Sequence, residues 1–327
     1  MKYSTIYSII KYTKNYKSDW NNFVSNSRNG TFLFLRDFMD YHCDRYFDYS
    51  LLIYKKDVLI SVLPANCVDD QLYSHQGLTY GDFILDEKSK FHDVVKIFKI
   101  TLKFLSDNNI KTLTLKPIPS IYHILPTEES KYISHLLNSD IVKKELLSVV
   151  RMNNLSLSKD RSNGVKKGLK NNLVITEVDE FEDFWNNLLI PNLNLKHGIS
   201  PVHTLSEIKL LKKRFNNKIR QFNVYSQKKL IAATTIFETK TTAHVQYISS
   251  NSTKNTTGSL DFLFSHLISD IFKSKEFFDF GNSNENNGQF VNEGLIYWKE
   301  GFGAKSIVQD FYKIKTKNYI KLDNLLT

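Results

Sequence analysis

Residues 219–250, IRQFNVYSQKKLIAATTIFETKTTAHVQYISS, hold three apolar-rich runs parted by short polar turns at Gln227–Lys229 and Glu238–Thr241. Connections this short predict antiparallel strands, because parallel neighbours need a crossover of a dozen residues or more. Two helices are predicted before this meander. DEFEDFWNNLLIPNL carries Phe181, Phe184, Trp185 and Leu188, and HTLSEIKLLKKRFNN opens with Thr204 and Glu207 at capping-box spacing. After the meander come a helix over Ser259–Ser274, the strand EFFDFG, a Gly/Asn-rich loop, a short helix at NEGLIYWKEGFG and a strand at SIVQDFYKI.

The first half repeats this grammar. Ser18 and Asp19 read as a cap for a helix bearing Trp20, Phe23 and Val24, and Phe32–His42 reads as a second helix with Phe34, Phe38 and Tyr41 along one side. YSLLIYKKDVLISVLP is a hairpin turning at Lys55–Asp57. KFHDVVKIFKITLKFLSDNNI is a long amphipathic helix, and KTLTLKPIP a strand ended by its prolines. LLSVVRMNNLSLS reads as a further strand pair, and KDRSNGVKKGLK as a basic helix with Val165 and Leu169 facing inward. The expectation is an α+β chain of two tandem units, 1–150 and 151–327, each a mixed and mostly antiparallel sheet flanked by helices.

Charge and cysteine usage narrow the function classes. The net charge of +10, from 44 basic and 34 acidic residues, can steer polyanions. The lysines are scattered among asparagines, however, with no dense Arg-rich stripe. Only Cys43 and Cys67 occur, which excludes a disulfide scaffold and fits a reducing compartment; both read as buried small hydrophobes. No run of about 18 apolar residues is present, and the N-terminal stretch is interrupted by polar groups, so the expectation is a cytoplasmic protein. His197 and His203 stand six apart without a cysteine partner, so no metal is expected.

One bend stands out, YISSNSTKNTTGSLDFLF over 247–264. A strand runs into a hydroxyl-rich turn and then into a helix, and free N–H groups at a helix start suit a phosphate. Neither a Gly-Lys-Ser/Thr nor a three-glycine fingerprint is present, so the common nucleotide loops are excluded.

YISSNSTKNTTGSLDFLFSHLI followed by FFDFGNSNENNGQFVNEGLIYWKEGFGAK resembles the C-terminal half of the GNAT superfamily, in its two-domain branch related to FemAB-type transferases. NGTFLFLRDFMDYH, LPAN, YSHQGLTYG and KHGISPVHTLSEI resemble members of that branch encoded among surface-polysaccharide genes. The resemblance implies that strands 243–248 and 276–281 splay apart to receive acetyl-CoA. Tyr247, Ile248, Lys254, Asn255, Thr257, Gly258 and Ser259 would hold that donor. A bulky residue at Gly258 would then weaken donor binding and leave the fold intact. The resemblance further implies an N-acetyltransferase acting on the amine of a nucleotide-linked (dTDP) deoxyamino-hexose for O-antigen or capsule biosynthesis. One alternative is a FemAB-type aminoacyl transferase taking aminoacyl-tRNA to a peptidoglycan precursor, although the extra helical arm common in those proteins is missing. Another is a noncatalytic carbohydrate- or nucleic-acid-binding protein; no nucleic-acid module is recognisable.

Acyl transfer to an amine needs a base, alignment of the reactants and a donor for the oxyanion. His203, His197, His75, His244 and Glu285 are base candidates, and Tyr297 is the candidate acid for a departing thiolate. Asn282, Asn284, Asn286, Gln76 and His244 are candidate substrate contacts.

Overall fold

The computed structural model describes residues 6–154, 156–323 and 325, apart from the side chains of Asn154 and His197. Its residues form two compact units. One runs to Glu145 and resumes at Val308; the other is Leu146–Ile307.

In the first unit β1 (Tyr7–Lys11), the helices α1 (Lys17–Asn26) and α2 (Arg36–Met39), and the strands β2 (Leu51–Lys55), β3 (Val58–Leu63), β4 (Asn66–Val68), β5 (Gln71–Tyr73) and β6 (Ile84–Leu85) precede the long helix α3 (Phe91–Asp107). β7 (Thr112–Leu115), α4 (Glu129–Leu136) and β8 (Asp140–Arg151) come next. β1, β2, β3 and β6 pair antiparallel in that order. The β2–β3 turn is tight because Lys56 and Asp57 both adopt positive φ, the geometry that suits a two-residue hairpin. α3 buries Val94, Val95, Ile97, Phe98, Leu102 and Leu105 against this sheet's core.

The second unit continues with α5 (Lys159–Lys170), β9 (Val174–Val178), α6 (Glu182–Phe184), α7 (Ile190–His197), α8 (Leu205–Arg214), β10 (Ile219–Ser226), β11 (Lys229–Glu238) and β12 (Thr242–Ser250). α9 (Lys254–Thr257), α10 (Ser259–His266), β13 (Phe277–Asn282), β14 (Asn284–Glu285), β15 (Phe290–Val291), α11 (Glu293–Glu300) and the first residues of β16 (Lys305–Lys315) complete it. Its sheet runs β8, β13, β12, β11, β10, β9, antiparallel except for β12 beside β13. The predicted meander therefore forms with the predicted turns. Thr204 and Glu207 make the capping box reciprocally, with Thr204 Oγ1 accepting the Glu207 N–H and Glu207 Oε2 the Thr204 N–H.

Several expectations are corrected. Residues from Val308 onward join the first unit rather than the second. The reason is pairing: Tyr312–Lys315 of β16 lie antiparallel to Thr112–Leu115 of β7, and Tyr312, Ile314 and Leu322 enter the first core. The unit boundary falls at Glu145–Leu146, inside β8, which is one twelve-residue strand rather than a pair. Ser18 and Asp19 lie inside α1 and do not cap it, and Phe32–His42 breaks into three short turns. Cys43 is exposed and Cys67 half-buried.

The phase of α5 is also reversed. Gly164 and Gly168 face inward, while Leu169 is exposed and Val165 only half-buried. Two glycines four apart present a side-chain-free stripe that lets α10 approach closely. A Cβ on Gly164 would overlap Asp261, one on Gly168 would overlap Phe262, and one on Gly258 would lie 2.0 Å from the Gly164 carbonyl oxygen. Gly258 also holds φ +67, which disfavours any side chain. Gly258→Ala should therefore loosen this helix pair, costing about 3 kcal/mol from strain and overlap together. Amide hydrogen exchange should rise across both α5 and α10; unchanged exchange in both would contradict the contact.

Candidate functional site

β12 and β13 touch over three rungs only, Thr242↔Phe277, Ala243↔Phe278 and His244↔Asp279. Beyond them Val245–Ser250 pairs with β11 on one side and, among the described residues, with no strand on the other. The turning point lies in β13, whose register against β8 shifts between Asp279 and Asn282, with Gly281 at φ +69. Such a bulge bends a strand and re-aims the residues beyond it.

Bending a buried strand leaves backbone polar groups off the ladder, and these must find partners elsewhere. Two side chains supply them. Asp279 is buried; its Oδ1 accepts the Gly281 N–H at 2.7 Å, and its Oδ2 meets His244 Nδ1 at 2.8 Å. Lys299 Nζ donates to the carbonyls of Gly281 at 3.0 Å and Asn282 at 2.6 Å, and to Ser283 Oγ at 2.8 Å. Lys299 is itself buried, and that burial lowers its pKa to about 8, opposed by the nearby Asp279 charge.

A cleft of about 1150 Å³ is walled by the free end of β12 (Ile248, Ser249, Ser250), by α5, α7 and α11, and by the start of α10. Leu189, Leu193, Leu260, Leu295 and Trp298 give it apolar walls, while Lys167, Lys196 and Lys254 supply positive charge. One wall is fixed by Asp261, whose Oδ1 accepts from Arg161 Nη1 at 2.7 Å and from Trp298 Nε1 at 2.9 Å. Burial raises the Asp261 pKa in spite of these two donors. An extended acyl carrier could lie against the β12 edge here, with its phosphates toward the lysines.

The candidate residues divide sharply. Ile248, Lys254, Asn255 and Tyr297 line the cleft. Tyr297 is exposed and donates its hydroxyl to Asp160 Oδ2 at 2.6 Å, a bond that raises its pKa. His244 stands where the strands part. Asn282 offers its carbonyl to Lys299, Asn284 Oδ1 accepts the Leu146 N–H, and Glu285 accepts from Asn292 Nδ2. Asn286 holds φ +45 in the next turn.

Other candidates are structural. His203 is buried, its Nδ1 2.5 Å from the Tyr247 hydroxyl, which also accepts the His203 backbone N–H. Trp185 Nε1 donates to the His203 carbonyl, so both residues lock the α7–α8 connection to β12. Burial raises the Tyr247 pKa strongly. His75 and Gln76 belong to the first unit. His75 is buried at φ +67, and its pKa is driven well below the ordinary value by burial. Gln76 exchanges hydrogen bonds with Asn66. His197 ends α7, and its side chain lies outside the described ones.

Three residues of the expected phosphate cradle are engaged within the chain. The Thr257 N–H donates to the Thr253 carbonyl and the Gly258 N–H to the Lys254 carbonyl. Ser259 is wholly buried, and α5 lies across Gly258. At this corner the freedom of Gly258 permits a close helix contact with Gly164.

Asp279 and Lys299 are the residues at the strand divergence that sequence reasoning did not single out as site candidates. A signal existed for Lys299, which falls between Leu295 and Phe302 at helical spacing and so sits on an apolar face. A lysine there must bury its amine or swing away.

No family model matches the chain, and no curated protein matches it in sequence. Solved structures do match in fold. The crystal structure of FemX, 9% identical, superimposes with a TM-score of 0.66 over 97% of this chain and 99% of that one. L-PGS from Bacillus licheniformis, 12% identical, matches at 0.53 over 80% and 85%. A tandem GNAT protein from the clavulanic acid biosynthesis pathway, 9% identical, matches at 0.52 over 95% and 98%. The likeness is one of fold: α+β, with mixed sheets flanked by helices, of the GNAT-like and FemAB-related kind.

A lysine buried as Lys299 is should titrate far from its usual range. The charged amine costs stability relative to the neutral one, so stability should grow as pH rises from about 8 toward 10.5, the interval in which only the unfolded chain stays protonated. NMR titration of the Lys299 ε-carbon should give a midpoint near 8, lower still in Asp279→Asn. A midpoint near 10.5 would contradict the burial.

Proposed function

We propose that the chain transfers an activated acyl group to an amine, and that its donor is the aminoacyl ester of a tRNA. The observation that carries this reading is the parting of β12 from β13 beside a cleft whose expected diphosphate corner is bonded within the chain. The free β12 edge can accept an extended acyl carrier as an added strand would. The Thr257 and Gly258 N–H groups are bonded within the chain and Gly258 packs on Gly164, which counts against a diphosphate grip at that corner. Lys167, Lys196 and Lys254 around the cleft suit a phosphodiester chain. The whole-chain fold likeness to FemX supports the FemAB-type alternative raised by the sequence.

In this reading the acceptor amine attacks the ester carbonyl and an amide C–N bond forms. The ester C–O bond breaks, and the terminal ribose hydroxyl leaves with a proton. His244, oriented by Asp279, is the base that takes the amine's proton. Lys299 holds the Gly281 and Asn282 carbonyls and the Ser283 hydroxyl beside it and supplies positive charge as the oxyanion develops.

The second reading is acetyl transfer from acetyl-CoA to a dTDP-linked deoxyamino-hexose, with the pantetheine amides on the same β12 edge. The open stretch Val245–Ser250 favours it equally. One assay separates the two. With charged tRNA and a peptidoglycan-precursor amine, label transfer should be abolished by ribonuclease. Acetyl-CoA with nucleotide-linked amino sugars should release no thiol. Thiol release with ribonuclease-resistant transfer would select the second reading. Lys299→Met should lower kcat roughly 10²-fold or more, with donor binding retained.

A further inference from the structure

The rim of the cleft bears a feature that acyl transfer does not require. Leu189, just before α7, and Leu193 within it line the cleft wall, and the last turn of α7 and the loop after it then point large aliphatic side chains outward. Leu195 is 85% exposed, Ile199 55% and Val202 62%, three within eight residues. Scattered exposed aliphatics are ordinary, but a cluster on one short projection is not.

The projection is anchored at both ends. Gly198 ends α7 in the left-handed conformation, its N–H bonded to the Asn194 carbonyl, and no described atom lies within 4 Å of the place its Cβ would occupy. Pro201 comes next, the loop's far end is fixed by the buried His203–Tyr247 pair, and Thr204 caps α8. The aliphatics are therefore held out in solvent by anchored ends.

The charge beside them has one sign. Lys196 lies between Leu195 and Gly198 and lines the cleft together with Lys254 and Lys167. Among the described residues no carboxylate pairs with Lys196 or Lys254. The acids of the same cleft are engaged, Asp261 by Arg161 and Asp160 by the Tyr297 hydroxyl.

We propose that this loop docks on an anionic lipid surface, with Leu195, Ile199 and Val202 entering the headgroup–acyl boundary and the cleft lysines facing the anionic headgroups. Aliphatic side chains beside unpaired lysines are the combination that binds such interfaces. The docking does not depend on the acyl-transfer reading.

The test uses the full chain and vesicles of phosphatidylglycerol with phosphatidylcholine, against phosphatidylcholine alone, with no substrate present. Pelleting should show partition at least about tenfold stronger on the anionic vesicles, falling with salt. Leu195→Ser/Ile199→Ser/Val202→Ser should lower it by about tenfold or more, and Lys196→Glu should weaken the anionic preference. Leu195→Trp should give blue-shifted emission on anionic vesicles, which checks insertion without relying on the triple variant's folding. Equal partition on both vesicle types, an unaffected triple variant or unshifted emission would overturn the proposal. So would concentration-dependent dimerisation abolished by the triple variant, or burial of the loop by donor alone. Acyl transfer to a soluble amine would survive any of these outcomes, so failure here is distinguishable from failure of the acyl-transfer reading.

Discussion

The candidate site depends on how β13 leaves β12. A parallel pair buried within a sheet would ordinarily continue its ladder, because each unpaired backbone group there costs about 1–3 kcal/mol. Here the ladder stops after three rungs, and the groups released by the bulge at Gly281 are taken up by Asp279 and Lys299. These two side chains convert a defect in the sheet into an open strand edge. They also bring a carboxylate, an imidazole and an amine to the point of divergence. Burying the amine lowers its pKa toward the neutral range, and the carboxylate nearby holds that shift in check.

The second constraint is the glycine seam between α5 and α10. Gly164, Gly168 and Gly258 allow backbone contact that no side chain would permit. Their closeness also fixes Arg161 onto Asp261, which in turn orients Trp298 at the cleft wall. The seam closes one corner of the unit and leaves the neighbouring cleft open.

Much of the architecture is legible in the sequence because it rests on local pattern. The meander turns, the Thr204 capping box and the amphipathic face of α3 all come from period and spacing. The errors share one cause, which is that pairing across long sequence separations leaves little local trace. Nothing in SIVQDFYKI announces that it pairs with TLTL far earlier in the chain. The inward face of α5 escapes the pattern because apolar residues usually point inward, whereas here close approach to α10 selects the glycines. The site is legible only in part. Ile248, Lys254 and Asn255 lie on the predicted bend, but the roles of Asp279 and Lys299 come from convergence of β13 with α11, which spacing alone does not reveal. Of the histidines read as base candidates, His244 stands at the divergence of the strands, while His203 is buried against Tyr247.

The most direct test is residue-resolved amide exchange along β12, without and with a non-hydrolysable aminoacyl-adenosine. An open edge predicts slow exchange at Thr242–His244 and faster exchange at those amides of Val245–Ser250 that do not bond β11, with the latter slowing when the analogue binds. Uniformly slow exchange along the strand, or no change on adding the analogue, would contradict the account.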